Sequence, residues 1–197
     1  MRKMDSKAEI ALGLGPLYAS GFAGNYDERK SMMSSGLAAF TLVHVSISLI
    51  GIVTGLIAAF GLLSAKRLDG MTGVFLATTV LTSVTGYFFP FHGFKPSYVV
   101  GGISLLVLAI AIYARYSRGM DGGWRRTYVI TAMIALYLNC FVLVAQAFMK
   151  VGALNALAPT GSEPPFLVAQ VIVMLIFIVW TVLAVKKFRP DNLPARA

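Results

Sequence analysis

The chain has 197 residues, of which 57% are apolar and 13% charged, against roughly 45 to 50% and about 25% in ordinary soluble domains. With a mean hydropathy of +0.77, a soluble globular domain is excluded. Seventeen basic against eight acidic residues give a net charge of +9, but the basic residues flank apolar runs, which argues for anionic lipid headgroups as their partner and against nucleic acid.

The first element in chain order is the apolar stretch from Ala8 to Gly24, whose Ala19-Ser20-Gly21 resembles a signal-peptidase site. Asp5 and Glu9 are foreign to the basic region of a signal peptide, and Gly13, Gly15 and Pro16 interrupt the apolar run. The reading is therefore an uncleaved extracytoplasmic segment over residues 1–36, too broken to span and interfacial or re-entrant.

Five stretches then follow without a single Asp, Glu, Lys or Arg: Leu37 to Ala65, Gly70 to Phe94, Pro96 to Ala114, Thr127 to Met149 and Pro164 to Val185. About 20 residues at 1.5 Å each cross a bilayer core. The expected fold is an all-α integral membrane protein: a five-transmembrane-helix bundle over residues 37–188, with spans at 37–63, 71–90, 97–115, 127–149 and 164–186 and a cytoplasmic tail at 189–197. Near the span ends, Arg29, Lys30, Lys95 and Lys150 fall on one side of such a bundle. Lys66, Arg67, Arg115, Arg118, Arg125, Arg126, Lys186, Lys187, Arg189 and Arg196 fall on the other. The heavier side is cytoplasmic, which puts the N-terminus outside, in what reads as a bacterial plasma membrane. Tyr113, Tyr116, Trp124, Tyr128 and Trp180 lie near the inner boundary expected of amphipathic rings, and Tyr87 and Tyr98 near the outer one.

Within the spans, His44, Ser48, Gly51, Gly55 and Ala58 recur on one helical stripe that includes a GxxxG pair, a surface for close helix packing. Thr78, Thr82 and Thr85 can bond their own backbone or a neighbour. In span four, Ala132, Ala135, Asn139, Gln146 and Lys150 form a second stripe that must look inward, because unsatisfied amides are costly against lipid. Span five is apolar all round below Gln170, and seals the bundle against lipid or a partner subunit.

The strongly polar side chains gather in the outer half, and the inner half holds nothing stronger than Ser and Thr. That asymmetry predicts an outward-facing recess lined by His44, His92, Asn139, Gln146, Lys150 and Gln170 as ligand-binding residues. His44 and His92 are equidistant in sequence from Leu68, hence at similar depth, and two opposed imidazoles could hold one b-type haem. His92 follows Pro90, where the chain is leaving its helix. Lys150 and Glu163 flank the last outer loop; snorkelling and a charge at a helix start account for them better than an ion pair.

Cys140 lies alone inside a span and reads as core packing. HExxH, GxSxG, GxxxxGK[ST] and CxxC are all absent from the sequence, and no metal cluster is expected. Ser46 and Ser48 cannot form a working dyad with His44, since the first points away and the second belongs to the packing stripe. The expected function is a non-enzymatic multi-pass membrane protein, either an accessory subunit of a membrane complex or homo-oligomer, or a binder of a small lipophilic ligand. A haem-dependent electron carrier is the second reading, and a small transporter or channel the third.

Overall fold

In a computed structural model of the chain, the backbone is described for residues 15–89 and 96–189, and side chains for 31–89 and 98–189. Among these residues all regular structure is helical: α1 (Gly15–Leu63), α2 (Asp69–Gly86), α3 (Pro96–Ile112) with a π-helical turn at Tyr113–Ser117, α4 (Trp124–Lys150), α5 (Gly152–Leu157) and α6 (Pro164–Lys187).

Four segments are long and apolar enough to cross a membrane, namely Ser31–Leu63, Tyr98–Ser117, Trp124–Lys150 and Pro164–Lys187. They point to an integral membrane protein and coincide with expected spans one, three, four and five. The expected second span corresponds to α2, which is not among the four. Its 18 residues include Asp69 and six hydroxyl side chains, Thr72, Thr78, Thr79, Thr82, Ser83 and Thr85, and these lower its apolar character.

The chain divides into two compact units, Met1–Val43 and His44–Ala197. In the first, the helix starts at Gly15 and runs without a break through residue 36, where sequence reading set a boundary between an interfacial segment and the first span. Pro16 falls in the first helical turn, where its missing N–H costs nothing. Ser34, Ser35 and Thr41 donate to backbone carbonyls three or four residues back, so their hydroxyls are satisfied within the helix. Met32, Met33, Leu37, Leu42 and Val43 are exposed.

The second unit is built around α4, which packs on α3 and on α6. Its buried residues Tyr128, Val129, Ala132, Met133, Ala135 and Leu136 supply much of one contiguous core, joined by Phe75 and Leu76 of α2 and Leu108 and Ala111 of α3. Pro164 and Pro165 open α6, and Lys186 and Lys187 in its last turn complement the dipole. Only Gln170, Phe177 and Ala184 of α6 are buried. They lie seven residues apart, so α6 meets the bundle along one narrow stripe and leaves the rest of its apolar surface outward, as expected of a helix facing lipid or another subunit.

Candidate functional site

The packing stripe of α1 faces α2. A Cβ on Gly51 would stand 3.0 Å from Thr78 Oγ1, and one on Gly55 would stand 2.6 Å from Leu136 and 2.7 Å from Phe75. Gly51 and Gly55 therefore let α1 approach α2, and Gly55 also admits α4. The space beside this seam, lined by Gly55, Ala58, Phe75, Tyr128 and Leu136 among others, has a volume of about 10 Å³, no more than one water needs.

Along the same seam toward His44, polar side chains pair across the helices. Ser48 donates to its own helix at His44 O (2.8 Å) and lies 3.3 Å from Thr82 Oγ1 on α2. His44 Nδ1 is 2.8 Å from Thr85 Oγ1. Deeper in the bundle, Asn139 Nδ2 donates to Thr79 Oγ1 at 3.0 Å, joining α4 to α2, and Ser83 bonds Ser104 of α3 at 3.2 Å. The hydroxyls of α2 thus serve three neighbouring helices, which is how so polar a helix can sit among apolar ones.

Of the six residues expected to line a recess, His44, Asn139 and Gln170 are wholly or partly buried and bonded to separate partners. Gln170 Nε2 donates to Phe141 O at 3.1 Å, while its buried Oε1 has no hydrogen-bond partner among the described residues. Gln146 and Lys150 are exposed. The inward stripe of α4 therefore holds from Ala132 through Asn139 and ends there: farther out, α4 is engaged on another side, where Phe148 packs edge-on against Phe166 of α6 at 5.5 Å. His92 lies outside the described residues, as does the recess wall expected from Phe91 to Lys95. Glu163 does not reach Lys150. Its carboxylate accepts from Thr160 N (3.0 Å), Thr160 Oγ1 (2.9 Å) and Ser162 N (3.0 Å).

The end of the bundle where α2 begins, expected to be the inner one, corrects the expectation that only Ser and Thr are found there. Arg115, read from the sequence as a headgroup-facing loop residue, is 5% exposed. It donates to the Asp69 carboxylate and lies 5.0 Å from the Tyr128 ring centre and 5.7 Å from that of Tyr116. Tyr128 itself is 1% exposed, so it belongs to the core and not to the interfacial belt. Met120, which is held in the left-handed region at φ +64°, brings its sulfur to 3.9 Å from Arg115 Nη1. The π-helical turn carries Arg115 inward, and such turns have no residue signature at this spacing. The available signal was Asp69, an acid placed at the start of a span in a chain with few acids.

Arg125 and Arg118 are also committed. Arg125 donates to the carbonyls of Val185 (3.0 Å) and Phe188 at the end of α6, where unsatisfied carbonyls collect. Arg118 lies 5.3 Å from the Trp124 ring centre.

Chemically, these arrangements can hold helices together and present one imidazole. No group of three or more His, Cys, Asp or Glu that could hold a metal occurs among the described residues. Comparison with known proteins returns no matching family model, no matching curated protein and no matching solved structure.

Proposed function

We propose that the chain is a five-span membrane protein without catalytic machinery, which holds a small lipophilic molecule at the outer end of the α1–α2 seam. The observation that carries this reading is His44. Its Nδ1 is tied to Thr85, and no partner for Nε2 is found among the described residues. An imidazole oriented in this way is expensive to keep in an apolar layer unless something uses the second nitrogen.

The fifth span is α2. At 18 residues and 1.5 Å per residue it reaches roughly 27 Å, close to a hydrocarbon core of about 30 Å. Its hydroxyls do not oppose insertion, because they bond to other helices or to their own backbone: Thr78 donates to Val74 O and Thr85 to Leu81 O, both at 2.7 Å. The C-terminus is then cytoplasmic. The broad apolar surface of α6 faces lipid, or a partner when the protein acts as an accessory subunit.

Two measurements test this. In a Cys140→Ser background, single cysteines at Ser64 and Gly122 should react with an impermeant thiol reagent from the same side of the membrane, and one at Thr160 from the opposite side. Labelling of Ser64 and Gly122 from opposite sides would mean that α2 does not cross. Organic extracts of purified protein should contain a lipophile that is depleted in His44→Ala, and equal amounts in both would remove the binding reading.

A b-type haem between His44 and His92 is the second reading, favoured by the same imidazole orientation, since an axial ligand commonly has its other nitrogen fixed by a hydrogen bond. A Soret band after haem-supplemented expression, lost in His44→Ala, is its signature.

A further inference from the structure

We propose that His44 Nε2 accepts a hydrogen bond from the hydroxyl of a membrane-soluble phenol or quinol. This rests on the lipophile-binding reading above and names the chemistry of its ligand.

The tautomer follows from counting protons. Thr85 has one hydroxyl hydrogen, and its oxygen lies 2.7 Å from Leu81 O and 3.2 Å from Thr82 O. That hydrogen is committed to the backbone of α2, so at the 2.8 Å contact Thr85 Oγ1 accepts and His44 Nδ1–H donates. In the neutral ring Nε2 then carries the lone pair. The ring plane is fixed as well: Phe89 stands edge-on to it, with centres 5.0 Å apart and planes at 86°.

Gly86 of α2 stands beside the ring. A Cβ there would lie 3.9 Å from His44 Cε1, the ring atom between the two nitrogens, so a large side chain at this position would meet that edge of the imidazole. His44 is 19 residues before the inner end of α1 at Leu63, roughly 28 Å at 1.5 Å per residue, which sets it at the outer edge of the hydrocarbon layer.

A lone pair at that depth calls for a metal or a donor group. Among the described residues no group of three or more His, Cys, Asp or Glu could hold a metal ion, and the lone pair is assigned to a hydrogen-bond donor. A donor that reaches it from the membrane side partitions into lipid. A phenolic O–H is a stronger neutral donor than an aliphatic alcohol, which favours an aromatic headgroup over an alkyl one. No bond is made or broken in this binding step.

The test uses the full chain in lipid nanodiscs with ¹⁵N-labelled histidine; His92→Gln assigns the His44 signals. The expected starting state is a protonated Nδ1 and a pyridine-like Nε2. A short-chain alkylhydroquinone should shift Nε2 and leave Nδ1 protonated, and its dimethyl ether, which has no O–H, should bind about tenfold more weakly and leave Nε2 unmoved. Gly86→Leu, which covers that edge of the ring, should abolish the shift and preserve the Nδ1–H signal. Equal binding of hydroquinone and ether without a shift at Nε2 would overturn this inference and leave the lipophile reading standing. Binding of neither above protein-free nanodiscs would overturn both. A starting state with Nε2 protonated, or a shift that survives Gly86→Leu, would also overturn it.

Discussion

The Arg115 guanidinium donates to the carboxylate of Asp69, 46 residues earlier in the chain. This contact joins the first residue of α2 to the π-helical turn that ends α3. Arg115 is nearly enclosed, with its side chain 4% exposed, whereas that of Asp69 is 38% exposed. The two partners are therefore unequal. Removing the acid strands a buried cation; removing both leaves a cavity edge with no charge to solvate.

That inequality predicts a non-additive pair. Asp69→Asn should destabilise the bundle by about 2 kcal/mol, less than the 3 to 5 typical of fully buried pairs because water still reaches the carboxylate. Arg115→Met combined with Asp69→Asn should be less destabilised than Asp69→Asn alone, since the methionine retains the contact with Tyr128 without a charge. Thermal unfolding midpoints in one detergent check this, and strict additivity of the two substitutions would show that the ion pair is incidental.

The glycine seam supports a graded series. Gly55→Ala places a methyl 2.6 Å from Leu136 and 2.7 Å from Phe75, Gly51→Ala places one 3.0 Å from a threonine hydroxyl, and Gly36→Ala meets nothing within 4 Å. Overpacking costs typically about 1 to 3 kcal/mol. Gly55→Ala should fall in that range, Gly51→Ala below it, and Gly36→Ala should be neutral or slightly stabilising through helix propensity. Unfolding midpoints that do not follow this order would mean that the α1–α2 approach is looser than these distances imply.

Interval patterns in the sequence made this seam legible. His44, Ser48, Gly51, Gly55 and Ala58 share a stripe by arithmetic alone, and in the structure that stripe meets α2. The stripe from Ala132 to Asn139 was legible for the same reason. Its extension to Gln146 and Lys150 was not, because periodicity states which residues share a face and is silent on where the neighbouring helix stops. Arg115 was illegible for a different reason. A charge a few residues beyond an apolar run looks the same whether it points to headgroups or is drawn inward by a π-helical turn. The short α5 between α4 and α6 likewise carries no apolar period long enough to read.

Asn139 offers a direct measure of a buried polar contact between helices. Thr79 is 0% exposed and accepts from the Asn139 amide. Double-mutant cycles on such contacts in membranes average about 0.6 kcal/mol and reach about 1.7. The cycle of Asn139→Leu and Thr79→Val should give a coupling energy in this range, measured by unfolding in mixed micelles. A coupling indistinguishable from zero would mean that the two helices are held by packing alone.

Glu163 predicts a pH response confined to one loop. Hydrogen bonds from the Thr160 backbone, foremost, and from the Thr160 hydroxyl and Ser162 backbone lower the carboxyl pKa from the ordinary 4.5 to about 2. A depressed carboxylate pKa contributes order that is fully present above the unfolded value and is lost as pH falls through the folded one. The Thr160–Glu163 turn should therefore be intact above about pH 4.5 and open as the pH drops toward 2. Amide resonances of Thr160 and Ser162, which donate to this carboxylate, should titrate together with a midpoint well below that of a free glutamate. In Glu163→Gln they should lose that titration, while the α4 resonances stay in place. A midpoint near 4.5 in the wild-type protein would mean that the carboxylate is hydrated and that the turn before α6 forms without it.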